Sequence, residues 1–191
     1  MRLRRSRVVA LVAALLCVAL AAAALRTAEA APPYEIVRGV AGTAVTVEDG
    51  TITVGDVRVG SQLTRDGSVT DTTPGMFVVV AVTVAATGRD TFRRGDARLL
   101  ARGDRVYAAY GGQATLVAPP GFQERIDLVF EADPADIDDL TLEVWQAEII
   151  HGYQQRMQVH LGITPGNADQ WRAAAPDQAV EADVYGSTRA V

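Results

Sequence analysis

The apolar and polar residues of this chain follow three regimes. Residues 8–25 form an unbroken apolar run, residues from about 34 to 163 alternate in short segments between turn residues, and residues 164–191 lose both patterns. In the middle regime, 43–47 and 51–54 alternate with period two on either side of Glu48-Asp49-Gly50. An Asp-Gly pair between such runs predicts a hairpin, because the turn needs positive φ. A further strand is expected over 57–63, followed by a loop through Asp66, Gly67, Asp71 and Pro74-Gly75. The run 76–84, Met-Phe-Val-Val-Val-Ala-Val-Thr-Val, is continuously apolar and predicts a central strand buried on both faces. It ends at Gly88-Arg89-Asp90.

Beyond it, 97–101 and 105–109 read as a hairpin around Gly103-Asp104, and Gly111-Gly112 leads to a short strand over 115–117. Pro119-Pro120-Gly121 then turns the chain into a strand over 124–130, an acidic loop over 131–139 and strands over 140–145 and 157–163. Many short strands with turns every eight to twelve residues, and no long amphipathic helix, predict an all-β fold, a β-sandwich of about 7–9 strands. In the last regime one short helix is expected. Asn167 would cap it, Gln170 would complete a capping box, Pro176 would end it, and Trp171 would dock it on the domain. The rest of the tail reads as loosely ordered.

The first regime decides where such a domain works. Arg2, Arg4, Arg5 and Arg7 precede the apolar run and Arg26 follows it. Its 18 residues reach about 27 Å as a helix, close to the thickness of a bilayer core. Two readings remain open. As a signal-anchor over residues 1–26 the helix stays in the membrane through 8–25, N-terminus in, with the domain outside the cytoplasm. As a signal peptide it is removed after Ala30 in the small-x-small sequence Ala28-Glu29-Ala30, leaving Ala31 as the first residue of a secreted protein. In either case 27–33 is a linker stiffened by Pro32-Pro33, 34–163 is the sandwich and 164–191 is the tail. The single Cys17 lies in the apolar run, so the exported part has no disulfide and relies on its core.

Composition narrows the partners. The whole chain carries 18 basic and 23 acidic residues; residues 34–191 hold 13 arginines and 22 acids, a net charge of −9, with no lysine anywhere. That sign argues against a general binder of nucleic acid.

Pro74-Gly75-Met76-Phe77-Val78-Val79-Val80 with Val82 and Val84, the later Pro119-Pro120-Gly121 corner, and Ile126-Asp127-Leu128-Val129-Phe130-Glu131 with Leu140-Thr141-Leu142 carry a resemblance. Over roughly 34–163 the chain resembles the telokin-like, immunoglobulin-like domains of bacterial exported proteins, the family of the mycobacterial immunoprotective extracellular antigen. The resemblance implies an immunoglobulin-like sandwich, secreted or tethered, with no assigned enzymatic activity.

Candidate chemistry is sparse. His151 and His160 are the two histidines, and no nucleophile pairs with histidine and acid at a recognised spacing, so no catalytic residue and no cofactor are expected. Glu131, Asp133, Asp136, Asp138 and Asp139 offer the best hard-oxygen ligands for calcium, although the spacing and glycine of an EF-hand are missing. A solvated acidic turn is the alternative. Arg94-Gly95-Asp96 and Arg102-Gly103-Asp104 read as turns. The expectation is a non-enzymatic extracytoplasmic binding or structural module that meets an envelope protein through sheet edges or loops such as 111–121. The competing expectation is a secreted small-ligand or calcium binder using the 131–139 loop.

Overall fold

The computed structural model describes residues 13–20, 34–112, 115–146 and 154–191. The chain divides into two compact units, Met1–Pro33 and Tyr34–Val191. In the first, residues 13–20 are helical. Among the described residues no helix is long and apolar enough to cross a membrane. The rest of the 8–25 run, the 27–33 linker and the Ala30-Ala31 junction lie outside the described residues.

The second unit is a β-sandwich. One sheet has the order β1 (Tyr34–Val40), β11 (Gln154–His160), β10 (Thr141–Trp145), β6 (Asp96–Leu100) and β7 (Val106–Ala108). The other runs β12 (Ala179–Glu181), β3 (Gly50–Arg65), β4 (Ser68–Ala86), β9 (Phe122–Ala132) and β13 (Ser187–Ala190), with β2 (Ala44–Val47) paired to β3. A short ribbon joins β5 (Phe92–Arg94) and β8 (Leu116–Ala118). Between the sheets, Ile52, Val80, Val82, Leu128 and Phe130 meet Leu99, Leu142, Val144, Met157 and Val159 in one continuous core. The period-two alternation puts these side chains on the inner face of each sheet and their neighbours on the outer face.

β4 is buried on both faces from Met76 to Val82, as its composition predicts. The outward residues Phe77 and Val79 do not meet solvent because a second, smaller core covers them, built with Leu63, Val129, Val180 and Ala182. The last two belong to the tail, so the tail is part of the fold. After the helix Ala168–Ala174, β12 pairs in parallel with β3 and β13 pairs antiparallel with β9. Between them, Ala182 N donates to Thr64 O and Asp127 N donates to Asp183 O, which ties the tail to both β3 and β9. Burying Val180 adds roughly 1.5–3 kcal/mol to the docking of this segment.

Several expectations need correction. The segments 51–54 and 57–63 are one strand, β3, with a register shift between Val54 and Val57. The loop expected over 66–75 is a tight turn at Asp66-Gly67, both at positive φ, after which β4 begins at once. Pro74 escapes the ladder because pairing with β3 stops at Thr72 and resumes at Phe77. β1 carries little alternation and was not expected as a separate strand; it adds to the sheet edge by parallel pairing with β11. The tail helix starts and stops where expected, but Asn167 makes no capping bond to it. Its side chain accepts from Thr164 N and donates to Gly162 O, fixing the preceding turn instead. Trp171 packs against the main core, as expected.

Candidate functional site

On the outer face of the five-stranded sheet, alternation aims Glu143 and Trp145 of β10 away from the core that Leu142 and Val144 enter. Glu143 is nevertheless only 1% exposed. Its register partners are Arg98 on β6 and Gln158 on β11. Arg98 Nε donates to Glu143 Oε1 at 2.9 Å, and its Nη2 lies 2.6 Å from the same oxygen. Arg156 Nη1 donates to that oxygen at 3.1 Å, and Gln158 Nε2 donates to Oε2 at 2.6 Å. A carboxylate facing solvent on a sheet would ordinarily be hydrated. Here two guanidinium groups and an amide take the place of the water.

The two arginines are fixed in turn by aromatic rings. The Arg156 guanidinium carbon lies 3.7 Å from the Tyr34 ring centre and 5.1 Å from that of Trp145, and the Arg98 guanidinium carbon lies 5.0 Å from the Trp145 ring centre. The result is a Tyr34–Arg156–Trp145–Arg98 stack spanning β1, β11, β10 and β6, held from beneath by one buried carboxylate. Cation–π contacts of this kind contribute about 0.5–2 kcal/mol each, with the larger values where water is excluded. Tyr34, Trp145, Arg98 and Arg156 remain half-buried, so the stack is a rigid surface with accessible upper edges.

The acidic loop does something else. Asp133 accepts from Ala135 N and caps the short turn Pro134–Asp136. Asp136 binds Arg105 and accepts from the Tyr107 hydroxyl. Asp138 pairs with Arg102 at 3.3 Å and Arg172 at 3.5 Å, while Asp139 lies 3.1 Å from His160 Nε2. Arg172 also donates to Pro134 O, tying the loop to the tail helix. Each carboxylate therefore has its own partner, and Glu131 is turned to Thr73. Among the described residues no group of three or more histidine, cysteine or carboxylate side chains could hold a metal ion. Burial and the Asp136 carboxylate push the Tyr107 phenol above its ordinary range, and the same carboxylate raises Arg105.

The remaining sequence candidates separate. His160 lies on the outer face of β11 and its Nδ1 accepts from Gly162 N; His151 lies outside the described residues. Arg102-Gly103-Asp104 is an exposed turn joining β6 and β7, and Arg94 is buried, donating to Glu48 O and Arg93 O. In the 111–121 segment, β8 pairs with β5 and buries Leu116 and Ala118, which leaves less free loop than the glycines suggest. The aromatic–arginine stack was missed in the sequence. Its signal there is an Arg on one segment, a Glu and a Trp on a second and an Arg on a third, each on the polar parity, which becomes a cluster only once strand order is known.

No family model matches this chain. No curated protein matches it either. Among solved structures it is similar to an uncharacterized β-sandwich protein from Clostridium difficile 630, at 8% identity and a TM-score of 0.41 over 65% of this chain and 95% of that one. It is also similar to the yjhA protein from Bacillus subtilis, at 14% identity and a TM-score of 0.44 over 66% of this chain and 99% of that one.

Proposed function

We propose that this chain is a non-enzymatic extracytoplasmic binding module whose contact surface is the outer face of the five-stranded sheet. The observation that carries this reading is the Tyr34–Arg156–Trp145–Arg98 stack over buried Glu143. Tryptophan, tyrosine and arginine dominate the energetics of protein interfaces. Locking them before a partner arrives removes much of the side-chain entropy that association costs. The partner we assign is a protein of the cell envelope, met on this face and along the edge strand β1. The arginine-flanked apolar run over 8–25 supports a place outside the cytoplasm, tethered by that run or released by cleavage between Ala30 and Ala31.

The same reading takes the sandwich as immunoglobulin-like, of the telokin-like kind. In its support, the two segments that carry the resemblance are neighbouring central strands, with Val78 opposite Phe130 and Val80 opposite Leu128.

The test is site-specific photo-cross-linking in the native envelope, with a benzoylphenylalanine at Asp96 or Thr141 beside the stack, or at Thr83 on the opposite sheet. We expect one envelope protein to be captured from the first two positions and not from the third, and to be lost when Trp145→Leu is added to a chain that still accumulates. Equal capture from both sheets, or none from Asp96 and Thr141, overturns the assignment.

A further inference from the structure

The outer face of the other sheet carries two adjoining clefts that share Arg125 and Ser187, with volumes of about 550 and 450 Å³. The larger lies beside the crossing of the tail from β12 to β13; the smaller lies on the sheet itself. In the smaller, Thr53, Thr83, Arg125 and Ser187 are directly opposite one another on β3, β4, β9 and β13, so their side chains form one row across the strands. Arg189 lies one step along, opposite Gln123. No carboxylate lines this cleft.

In a domain of net charge −9 such a grouping of cations is unexpected. Arg58, at the larger cleft, is held 2.8 Å from Asp127. Among the described residues Arg65, Arg125 and Arg189 meet no carboxylate. Arg189 finds only Gln123, whose amide oxygen accepts from it when turned that way. The Nε of Arg65 is buried without an acceptor. Arg125 and Arg189 are diagonal neighbours on one face, about 7–8 Å apart at the backbone, a spacing at which like charges repel and one bridging oxyanion satisfies both. The hydroxyls of Thr53, Thr83 and Ser187 supply further donors along the row.

The larger cleft adds a platform. Tyr185 is 73% exposed yet pinned, because Arg65 donates to its hydroxyl at 3.2 Å and lies 4.8 Å from its ring centre. Four carboxylates line it: buried Asp127 accepts from Asp183 N and pairs with Arg58, exposed Asp183 accepts from Gly186 N, and Asp66 and Glu181 are exposed, so the oxyanion is assigned to the smaller cleft and the larger one supplies the ring. A fixed, solvent-facing ring beside oxyanion donors matches a sugar ring followed by an acidic group.

We propose that this face binds an acidic glycan, with its phosphate or carboxylate held between Arg125 and Arg189 and a sugar ring laid on Tyr185. This site is on the opposite sheet from the protein-binding face and does not depend on it. The test is affinity electrophoresis of the full chain in gels containing polygalacturonate, a phosphorylated mannan or neutral dextran. We expect retardation by an acidic polymer and not by dextran, the tighter of the two acidic polymers naming the oxyanion. The double variant Arg125→Ala/Arg189→Ala should weaken binding at least about tenfold, the worth of one charge-assisted hydrogen bond. The charge-matched control Arg38→Ala/Arg89→Ala, at exposed positions away from both clefts, should keep wild-type retardation. Dextran retarding as strongly as the acids, or equal loss in both double variants, overturns the site. Inorganic polyphosphate binding as tightly as the acidic glycans, with Tyr185→Ala unchanged, overturns the sugar assignment.

Discussion

Replacing Glu143 should be among the most damaging single changes on the surface-facing side of this domain. Glu143→Ala removes the acceptor for Arg98, Arg156 and Gln158 and leaves two guanidinium groups stacked on aromatic rings with no counter-charge. Breaking a fully buried ion pair by deleting one partner costs about 3–5 kcal/mol. The arginines keep side-chain exposures of 30% and 21%, so water recovers part of their solvation. A loss of about 2–4 kcal/mol follows. Glu143→Gln is the finer probe. It keeps the volume and an oxygen toward the arginines, and Gln158 can turn its amide to accept from the new NH2. What it loses is charge assistance, worth about half of each bond, for a total of about 1–2 kcal/mol. At about 2–4 °C per kcal/mol for a domain of this size, the melting temperature should fall by about 4–16 °C for alanine and 2–8 °C for glutamine. The assay is urea unfolding of the full chain followed by tryptophan fluorescence, since Trp145 sits in the stack and reports its loss directly. The midpoint should drop in that order with an unchanged slope. If Glu143→Ala shifts the midpoint no more than Asp56→Ala, an exposed carboxylate without a partner among the described residues, the carboxylate does not organise the stack and the reasoning fails.

Four further outcomes follow from other parts of the molecule. Gly60→Ala places a methyl group against Gln178 O, where the tail strand passes, and should cost about 1–3 kcal/mol and make the segment after Pro176 sensitive to protease while the sandwich stays intact, which limited proteolysis with mass readout checks. Glu124 is half-buried and its carboxyl is pushed above the ordinary range by burial. A raised carboxyl favours the fold while protonated and loses that contribution as pH rises through the folded value, so Glu124→Gln should stabilise at pH 7 and give no gain at pH 3 in parallel thermal melts. The phenols of Tyr107, raised first by burial, and Tyr110, raised first by its bond to Asp71, contribute stability that is present below the ordinary tyrosine range and lost above it. Unfolding midpoints should therefore fall from about pH 10 upward, and more gently in Tyr110→Phe. Finally, because Asp136 and Asp138 are taken by Arg105, Arg102 and Arg172, adding calcium at millimolar concentration should leave the melting temperature unchanged, and a rise with calcium would return the 131–139 loop to candidacy as a cation site.

The strands most easily read were those whose neighbours repeat the same demand. Residues 76–84 are apolar enough that no arrangement except a covered centre suits them, and they pair with 124–130, whose Ile126, Leu128 and Phe130 alternate with Arg125 and Asp127, placing Val80 opposite Leu128 in the middle of the larger sheet. The Asp-Gly turn at 49–50 was equally legible because it lies between two alternating runs, and Asp49 adopts positive φ as that turn requires; Asp66-Gly67 makes the same kind of turn but read as part of a longer loop. What escaped were the elements defined by a partner far along the chain. Tyr34–Val40 becomes a strand by lying parallel to Gln154–His160, more than a hundred residues later, and the tail strands exist because β3 and β9 offer them free edges. In isolation, 179–181 is three residues with one valine; next to Leu63, Phe77 and Val129 that valine closes a core.

The same distinction explains why function was harder to read than fold. Acidic residues crowd 131–139, and crowding in sequence drew attention to them as ligands. In space they are spread among Arg102, Arg105, Arg172 and His160, and their effect is to pin the loop to the β6–β7 hairpin and to the tail helix. Glu143 sits alone between Leu142 and Val144 and looks like any polar residue on the wet side of a strand. It becomes the centre of the polar network because β6 and β11 flank β10 and bring Arg98, Arg156 and Gln158 to it from segments 45, 13 and 15 residues away. Pairing order therefore sets the chemistry of each outer face: one sheet presents an aromatic–arginine stack whose two guanidinium groups share one buried carboxylate, the other a row of hydroxyls ending in arginines that meet no carboxylate among the described residues. The first holds its arginines against aromatic rings and a carboxylate of its own sheet before a partner arrives, with one buried donor, Arg156 Nε, still lacking an acceptor among the described residues, which suits a protein surface. The second still lacks an anion, and that difference is why the two faces are assigned to different kinds of ligand.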